Sequence, residues 1–385
     1  MNPAPLAYLD HAATTPMRAE ALEAMLPFYG ERFGNPSGSH RVARDARRAV
    51  DEARDVVAES LGCKPSEVVF TGCGTEADSL AILGALRVRG GAAVCSSVEH
   101  HAVLHVVEHE GGRVVGVDTS GRIDLDALAE ALDDTTTVVS VMAVNNEVGA
   151  VSNLAAVSTL VRRHAPRALL HSDAIQAATW LDLRSVAAHT DLLSLSAHKF
   201  GGPKGVGVLM VRSGITLEPM LLGGGQEHER RSGTHNVAGI VALATALRIA
   251  DERRVDEVAR IEGLRNRLVD GLIARVPGTL ETVPRQDKVA GSAHVCFEGV
   301  DSESLLFLAD QGGVCASAAS ACASGAMEPS HVLAAMGVPR SHAAGAIRLT
   351  LGYTSTDADI DLALEVLPAA VHRIRDRGIT VRGAS

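Results

Sequence analysis

Residues 45–250 alternate short, apolar, strand-forming runs with longer runs that repeat at the helical period. Strands that alternate with helices at this spacing predict a mostly parallel β-sheet covered by helices, because parallel neighbours need a long crossover connection. After about residue 251 the pattern changes to a long charged helix over residues 251–275, followed by strands and helices of α+β character. The pattern therefore predicts an α/β protein with a large domain and a smaller α+β domain.

The composition bounds the number of domains, the classes of binding partner and the cellular compartment that we expect for the chain. It has 385 residues, of which 46% are apolar, and a chain of this length predicts two domains. The net charge of −10 leaves no dominant basic patch, so nucleic-acid binding is not expected. We expect no secretory signal and no membrane span, because the first residues lack the required pattern and no long stretch is free of charge. The six cysteines match no zinc spacing, and a chain of this size does not need disulfides for stability, so we expect a reducing cytoplasm.

Two polar residues, Asp173 and Lys199, end successive apolar runs. The carboxyl ends of parallel strands meet at one edge of a sheet, so we expect the two side chains to lie close together. A lysine can hold pyridoxal 5'-phosphate as a Schiff base, and a carboxylate can keep its pyridine nitrogen protonated. A lysine after a strand is also common on protein surfaces, so this pair alone leaves the assignment open.

Residues 68–78 read as a strand, a glycine turn and a helix start. Gly74 and Thr75 open the helix, where free backbone N–H groups form an anion site. The same segment fits G-x-G-x-x-A, a pattern of dinucleotide-binding folds, but no acidic residue ends the next strand to hold a ribose. We therefore predict a single bound phosphate, with a strand–helix turn that binds nothing as the alternative.

His100 lies between a strand end and a helix, at the edge of the predicted cleft, where an imidazole can stack on a flat cofactor or relay protons. Residues 105–109 match the H-x-x-E-H zinc pattern, but no third ligand is evident and no metal is predicted. Asn146 lies at another strand end. Its carboxamide can bond a cofactor oxygen or a substrate carboxylate. The alternative is that it belongs to an Asn-rich turn that binds nothing.

Three later features concern charge and nucleophiles. Residues 223–234 form a glycine-rich, charged loop that suits either phosphate binding across a subunit interface or a flexible surface. Arg348 lies inside an apolar strand and needs an anionic partner, which a substrate carboxylate would supply. Cys322 lies among small residues and is the accessible candidate nucleophile, whereas Cys315 ends a predicted strand and should be packed.

In their order along the chain, these segments resemble the cysteine desulfurases of the NifS/IscS-like branch, within the fold-type-I (class V aminotransferase) pyridoxal phosphate enzymes. The resemblance runs nearly end to end. It rests on Tyr8-Leu-Asp-His-Ala-Ala-Thr-Thr-Pro16, Phe33-Gly-Asn35-Pro36, Val144-Asn-Asn-Glu-Val-Gly149, Ser172-Asp173-Ala-Ile-Gln176, Ser196-Ala-His198-Lys199, Gly223-Gly-Gly-Gln-Glu227, Arg231-Ser-Gly-Thr234 and Ser320-Ala-Cys322. It implies a large cofactor-binding domain over residues 14–250, and a small domain over residues 1–13 and 251–385 that carries the nucleophile-cysteine loop.

By position, the resemblance also implies a role for each candidate residue. Lys199 resembles the Schiff-base lysine, Asp173 the partner of the pyridine nitrogen, and His100 the acid/base that stacks on the ring. Cys322 resembles the persulfide-carrying cysteine. The others resemble the donor to the phenolic oxygen (Gln176), the phosphate cradle (Gly74, Thr75, Ser196 and His198, with Thr234 from a second subunit) and the clamp of the substrate carboxylate (Asn35, Asn146 and Arg348).

The implied activity converts L-cysteine to L-alanine and leaves a persulfide on Cys322. The implied enzyme is a cytoplasmic homodimer that passes the sulfur to an acceptor protein, such as an iron–sulfur scaffold. Another pyridoxal phosphate reaction on the same fold, by an aminotransferase or a selenocysteine lyase, is the main alternative. An NAD-dependent dehydrogenase and a non-catalytic sulfur-transfer scaffold are further alternatives.

Overall fold

The computed structural model describes residues 6–318 and 330–376. Its strands are β1 (Ala7–Tyr8), β2 (Val68–Thr71), β3 (Ala92–Ser96), β4 (Arg113–Val115), β5 (Thr136–Ser140), β6 (Leu169–Asp173), β7 (Leu192–Ser196), β8 (Gly207–Val211), β9 (Thr279–Glu281), β10 (Ser292–Phe297), β11 (Val314–Cys315) and β12 (Ala346–Thr350). Its α-helices are α1 (Ala19–Met25), α2 (Arg41–Leu61), α3 (Gly74–Arg89), α4 (His101–His109), α5 (Leu125–Ala131), α6 (Leu154–His164), α7 (Leu183–Ala187), α8 (Val237–Arg275), α9 (Ser302–Gln311), α10 (His331–Ala335), α11 (Arg340–Ala343) and α12 (Asp357–Asp376).

A seven-stranded sheet forms the centre of the first part of the chain, in the order β2-β8-β7-β6-β5-β3-β4. The run from β7 to β4 is parallel throughout, whereas β8 pairs antiparallel with both β7 and β2. Every residue of β5, β6, β7 and β8 is buried, as expected when helices cover both faces of a sheet. The predicted α/β class with a mostly parallel, helix-covered sheet is confirmed.

Helix α8 is longer than the sequence pattern predicted. The prediction began it at residue 251, but it runs for 39 residues from Val237, after Asn236 accepts a hydrogen bond from the N–H of Gly239. No proline interrupts this stretch, so the short apolar run before residue 251 continues into the charged part as one helix. The predicted domain boundary near residue 250 falls inside α8, and the division into domains stays a prediction.

The later part of the chain has its own small sheets. Strands β9, β10 and β12 form a three-stranded antiparallel sheet, and β1 pairs in parallel with β11. A separate hydrophobic cluster here includes Leu268 of α8, Phe297 of β10, Ile347 of β12 and Leu367 of α12. The N-terminal strand β1 therefore packs with residues more than 300 positions later.

The carboxyl ends of β5, β6 and β7 meet the N-termini of α3 and α4 at one edge of the large sheet, and β12 approaches the same edge from the small sheets. This edge is where open α/β sheets bind ligands. Among the helices of residues 6–318 and 330–376, none combines the length and apolarity needed to cross a bilayer.

Candidate active site

A cavity of about 450 Å³ opens at this edge of the large sheet. It is lined by most of the residues predicted to form the site, namely Gly74, Thr75, His100, Asn146, Asp173, Gln176, Ser196, His198, Lys199 and Arg348. Two other candidates, Asn35 and Thr234, are exposed and lie outside this lining. Cys322 lies outside the described residues.

Lys199 enters the cavity from a 3₁₀ turn, Ala197–Lys199, that directly follows β7. Its Nζ donates hydrogen bonds to the carbonyl oxygens of Ala12 and Ala13, at 2.6 and 2.9 Å. The side chain is half-buried, and the buried Phe200 behind it secures the turn against the core. The N-terminal segment thus forms one wall of the site and orients the lysine.

Asp173 ends β6, next to the strand that leads to Lys199, and its register partner on β7 is Ser194. Its Oδ1 accepts a hydrogen bond from the N–H of Ile175 at 2.9 Å. Burial raises the pKa of Asp173 to about 6, and the Ile175 N–H and the positive charge of Lys199 oppose that rise. The carboxylate is therefore ionised at neutral pH although it is almost fully buried.

The N-terminus of α3 closes another side of the cavity. Cys73 caps this helix, with its Sγ accepting from the N–H of Glu76 at 3.4 Å. The following Gly74 packs so closely that an added Cβ would collide with the side chain of Ile175. Thr75 then brings a hydroxyl and a free helix N–H to the cavity, a combination that favours an anion.

His100 stands at the start of α4, where its Nδ1 accepts a hydrogen bond from the N–H of Ala102 at 3.1 Å. Burial and then the positive charge of Lys199 lower the pKa of His100 to about 4, so the imidazole is neutral at pH 7.

His101 stacks on His105 with ring centroids 4.5 Å apart and lies 4.7 Å from the ring of His331. Across residues 6–318 and 330–376, no group of three or more His, Cys, Asp or Glu side chains is arranged to hold a metal ion.

Arg348 of β12 is buried, as its apolar strand predicted, but its anionic partner belongs to the chain itself. Its Nη2 contacts Asp10 Oδ1 at 2.8 Å, and its Nη1 donates to the carbonyl oxygen of Asn146 at 3.0 Å. Its Nε has no hydrogen-bond partner in the described part of the chain. Nearby, Gln176 donates through Nε2 to the carbonyl oxygen of Ala12 at 2.9 Å.

Buried acids that the sequence analysis did not identify lie in or next to the cavity: Asp78 and Glu147 line it, and Glu99 directly precedes the lining residue His100. Asp78 and Glu99 are fully buried, and Glu147 is nearly so. Glu99 accepts from the N–H of Met142 at 2.8 Å, and Glu147 accepts from the hydroxyl of Ser330. For Asp78, the sequence signal available was its position two residues before the apolar run Leu80-Ala-Ile-Leu83.

The glycine-rich loop is anchored by a buried ion pair. Glu227 binds Arg54 through both oxygens, at 2.6 and 2.8 Å, and also contacts His235 Nε2 at 2.7 Å. Glu227, His228 and Glu229 all have left-handed backbone angles, with φ between 52° and 65°. Non-glycine residues seldom adopt this conformation, so the anchor holds a strained turn a few residues before the exposed Thr234.

The donor set of the cavity fits pyridoxal 5'-phosphate. A primary amine, Lys199, and a buried carboxylate, Asp173, both face the space above the strand ends. A helix N-terminus with Gly74 and Thr75 suits a phosphate, and the neutral ring of His100 offers a flat surface. When bound, this cofactor withdraws electrons from a substrate carbon through its protonated pyridine ring.

The chain matches the family described as aminotransferase class-V over residues 7–363. It is 45% identical to the IscS-like cysteine desulfurase of Mycobacterium tuberculosis, with 99% of this chain and 100% of that relative covered. It is 41% identical to the cysteine desulfurase IscS of Methanosarcina thermophila, with 96% and 93% covered. A solved NifS-like protein superposes with a TM-score of 0.90 at 34% identity, over 96% of this chain and 100% of that one.

These matches confirm the predicted fold-type-I class, the pyridoxal phosphate cofactor and the predicted class of enzyme. They do not fit the NAD-dependent dehydrogenase that the G-x-G-x-x-A pattern left as an alternative. The family match covers most of the chain, and the relatives cover nearly all of it. The chain therefore belongs to the class-V aminotransferase family, among its IscS/NifS-like cysteine desulfurases.

Proposed function

We propose that this chain removes sulfur from L-cysteine, releases L-alanine and holds the sulfur as a persulfide on Cys322 for transfer to an acceptor protein. The observation that carries the proposal is the convergence of Lys199 and Asp173 on one cavity beside the N-terminus of α3. A solved relative, described as SspA in complex with cysteine, shares 30% identity and a TM-score of 0.79 over 91% of this chain, which supports cysteine as the substrate.

In this proposal, Lys199 would hold the cofactor covalently and would later take the proton from the substrate Cα. Its hydrogen bonds to Ala12 and Ala13 hold Nζ in place between these steps. Asp173 would hold the proton on the ring nitrogen, and Gln176 would donate to the phenolic oxygen. The neutral His100 would stack on the ring and exchange protons with the substrate thiol.

The phosphate would be held by Gly74, Thr75, Ser196 and His198, with Thr234 of a second subunit completing the cradle. His198 is oriented for this by its Nδ1 contact with Thr14 Oγ1 at 3.1 Å. The substrate carboxylate would be bound by Asn35, Asn146 and Arg348. We assign this contact to Nε of Arg348, which has no hydrogen-bond partner among the described residues.

Cys322 then attacks the sulfur of the bound cysteine as a thiolate. The S–S bond forms while the C–S bond breaks, and the electron pair of the C–S bond stays with the carbon, which is protonated to give alanine. The sulfur leaves as the outer atom of the Cys322 persulfide. A thiol of a cytoplasmic acceptor, such as an iron–sulfur scaffold protein, would take that atom from a homodimeric enzyme.

The test is product analysis with L-cysteine and no added reductant. We expect equal amounts of alanine and protein-bound sulfane sulfur. Lys199→Ala should abolish both products, whereas Lys204→Ala, an exposed lysine five positions later, should retain them. Formation of a keto acid in place of alanine would identify an aminotransferase, and turnover of L-selenocysteine alone would identify a selenocysteine lyase.

A further inference from the structure

Asp78 is a buried acid next to the site for which the proposed reaction has no use. It lies in α3, within two turns of the helix N-terminus, with no exposed surface and at the floor of the cavity. Among the described residues, neither of its carboxyl oxygens has a hydrogen-bond partner in good geometry. An ionised carboxylate in such a place is strongly disfavoured, because burial removes its hydration and no N–H donor of the described residues replaces it.

The groups that face Asp78 do not offset this cost. Asp173 of β6, Glu99 after β3 and Cys73 before α3 all disfavour its ionised form. The hydroxyl of Ser194 favours that form, but less than burial and Asp173 oppose it. Together these effects raise the pKa of Asp78 well above its ordinary range.

His171 of β6 is a basic side chain beside Asp78, with its Nε2 at 3.6 Å from Oδ1. Its two ring nitrogens are already engaged by hydroxyls, Nδ1 with Ser140 at 2.8 Å and Nε2 with Ser194 at 2.9 Å. Complete burial lowers the pKa of His171 to about 3. The imidazole is therefore neutral, and it gives Asp78 no positive charge.

Asp173 is in the opposite position. It accepts the Ile175 N–H at 2.9 Å, and the charge of Lys199 favours its ionised form. Two buried carboxyl groups that repel one another share a single negative charge, which goes to the better-solvated member. Asp173 has both a backbone N–H donor and a cation, whereas Asp78 has neither of these in the described residues and only the hydroxyl of Ser194 favours its ionised form.

We propose that Asp78 stays protonated at neutral pH and acts as a positioning residue that leaves the negative charge of the pair on Asp173. The neutral acid forms the floor of the site, so that the charge of Asp173 faces the cavity where the pyridine nitrogen would bind. This inference rests on the proposed function for the identity of the cofactor. The protonation of Asp78 does not depend on it.

The first test compares Asp78→Asn with Asp173→Asn in the holoenzyme. Asparagine resembles a protonated aspartic acid in shape and charge, so Asp78→Asn should keep the dissociation constant of pyridoxal 5'-phosphate within about threefold of the wild type. Asp173→Asn should weaken cofactor binding on the order of 10²-fold, because it removes the charged partner. An equal loss in both variants would overturn the proposal.

The thermal midpoint gives a second readout with a defined sign. A raised pKa in the folded state means that Asp78 takes up a proton on folding, so its effect on stability worsens as pH rises above the ordinary aspartate value. The Asp78→Asn variant has no ionisable group at this position, so it does not lose stability in this way as pH rises. Its thermal midpoint should rise relative to the wild type between about pH 5 and about pH 8, and a relative fall over that interval would contradict a protonated Asp78.

Infrared spectroscopy of the wild type needs no substitution at Asp78. Labelling with ¹³C-aspartate should reveal the carbonyl band of a protonated aspartic acid at pH 7, and the band should persist in Asp173→Asn. Absence of the band in both proteins would overturn the proposal. Failure of the wild type to bind pyridoxal 5'-phosphate would instead contradict the proposed function and leave the infrared result standing.

Discussion

Arg348 and Asp10 form an ion pair 2.8 Å long inside the cavity, between two residues 338 positions apart in the chain. In this pair Nη2 of the guanidinium donates to Asp10, and Nη1 donates to the carbonyl oxygen of Asn146. Nε is left without a partner in the described residues. Asp10 thus fixes the orientation of the arginine, and the buried Nε is the donor that we propose for the substrate carboxylate.

We expect Arg348→Lys to raise KM for L-cysteine on the order of 10²-fold, since an ammonium group keeps the charge but loses the fixed, forked donors. The effect on kcat should be smaller, because the contact forms when the substrate binds. Steady-state kinetics of alanine release measure both values. Arg340→Lys, at an exposed arginine that begins α11, is the matched control and should change neither.

Lys199→Ala should abolish the visible absorption of bound cofactor and its covalent, borohydride-reducible link to the protein. The reason is that Lys199 is the lysine whose Nζ reaches the cavity, held by Ala12 and Ala13. Peptide mapping after borohydride reduction of the wild type should place the cofactor on Lys199. A reduced adduct on Lys204, or on any lysine in Lys199→Ala, would show that the assignment is wrong.

The charge of Asp173 should make cofactor binding dependent on pH. Burial raises its pKa to about 6, so the carboxylate becomes protonated as pH falls through that value and can no longer pair with a protonated ring nitrogen. We expect the affinity for pyridoxal 5'-phosphate to fall below about pH 6 in the wild type and to be uniformly low in Asp173→Asn.

In the cofactor-free protein, by contrast, Asp173 should stabilise the folded state more at low pH than at high pH. A pKa raised from 3.8 to about 6 means that the folded chain holds a proton that the unfolded chain has released. The stabilising effect of protonated Asp173 on the folded state is therefore present below pH 3.8 and is lost as pH rises through about 6. Denaturant titrations of cofactor-free wild type and Asp173→Asn across this interval measure it.

The active sites should be shared between the two subunits of a homodimer. Thr234 is exposed on its own chain, two residues after the buried Ser232, and the Glu227–Arg54 ion pair holds the preceding turn. If Thr234 completes the partner's phosphate cradle, mixing Lys199→Ala with Thr234→Ala protomers creates one intact site per mixed dimer. Activity should reappear on subunit exchange. Continued inactivity after proven exchange would count against shared sites.

Cys322 should carry the persulfide, and Cys315 should not. Cys315 ends β11 and is half-buried, and burial together with Asp310 and Asp10 raises the pKa of its thiol. A smaller thiolate fraction makes it a poorer nucleophile. Cys322→Ser should still bind L-cysteine but form no persulfide, whereas Cys315→Ser should keep most of the activity. Mass spectrometry of the wild type locates the added sulfur atom, and finding it on Cys315 would refute the assignment.

Much of the cavity lining was predictable from the sequence for a simple reason. Local periodicity indicates where a strand ends, and the right-handed crossovers of a parallel sheet bring those ends together. Asp173 and Lys199 were therefore expected to share an edge, and both line the cavity.

What the sequence could not predict depends on contacts between distant segments. Nothing near Arg348 indicates Asp10 as its partner, because β12 and the N-terminal segment meet only in the folded chain. Likewise, an acid such as Asp78 in an apolar helix reads as an isolated exception until the positions of Asp173 and His171 are known. Periodicity describes one element at a time, whereas charge states depend on everything packed around a group.

Helix α8 has a consequence for how the molecule holds together under stress. Its first half buries Leu243 and Leu247 in the core beneath the large sheet, and its second half buries Leu264 and Leu268 in the core of the small sheets. At about 1.5 Å per residue it is a continuous rod that belongs to both cores. Because fraying that begins in one core removes packing from the other, we expect the two parts to lose their order in a single thermal transition.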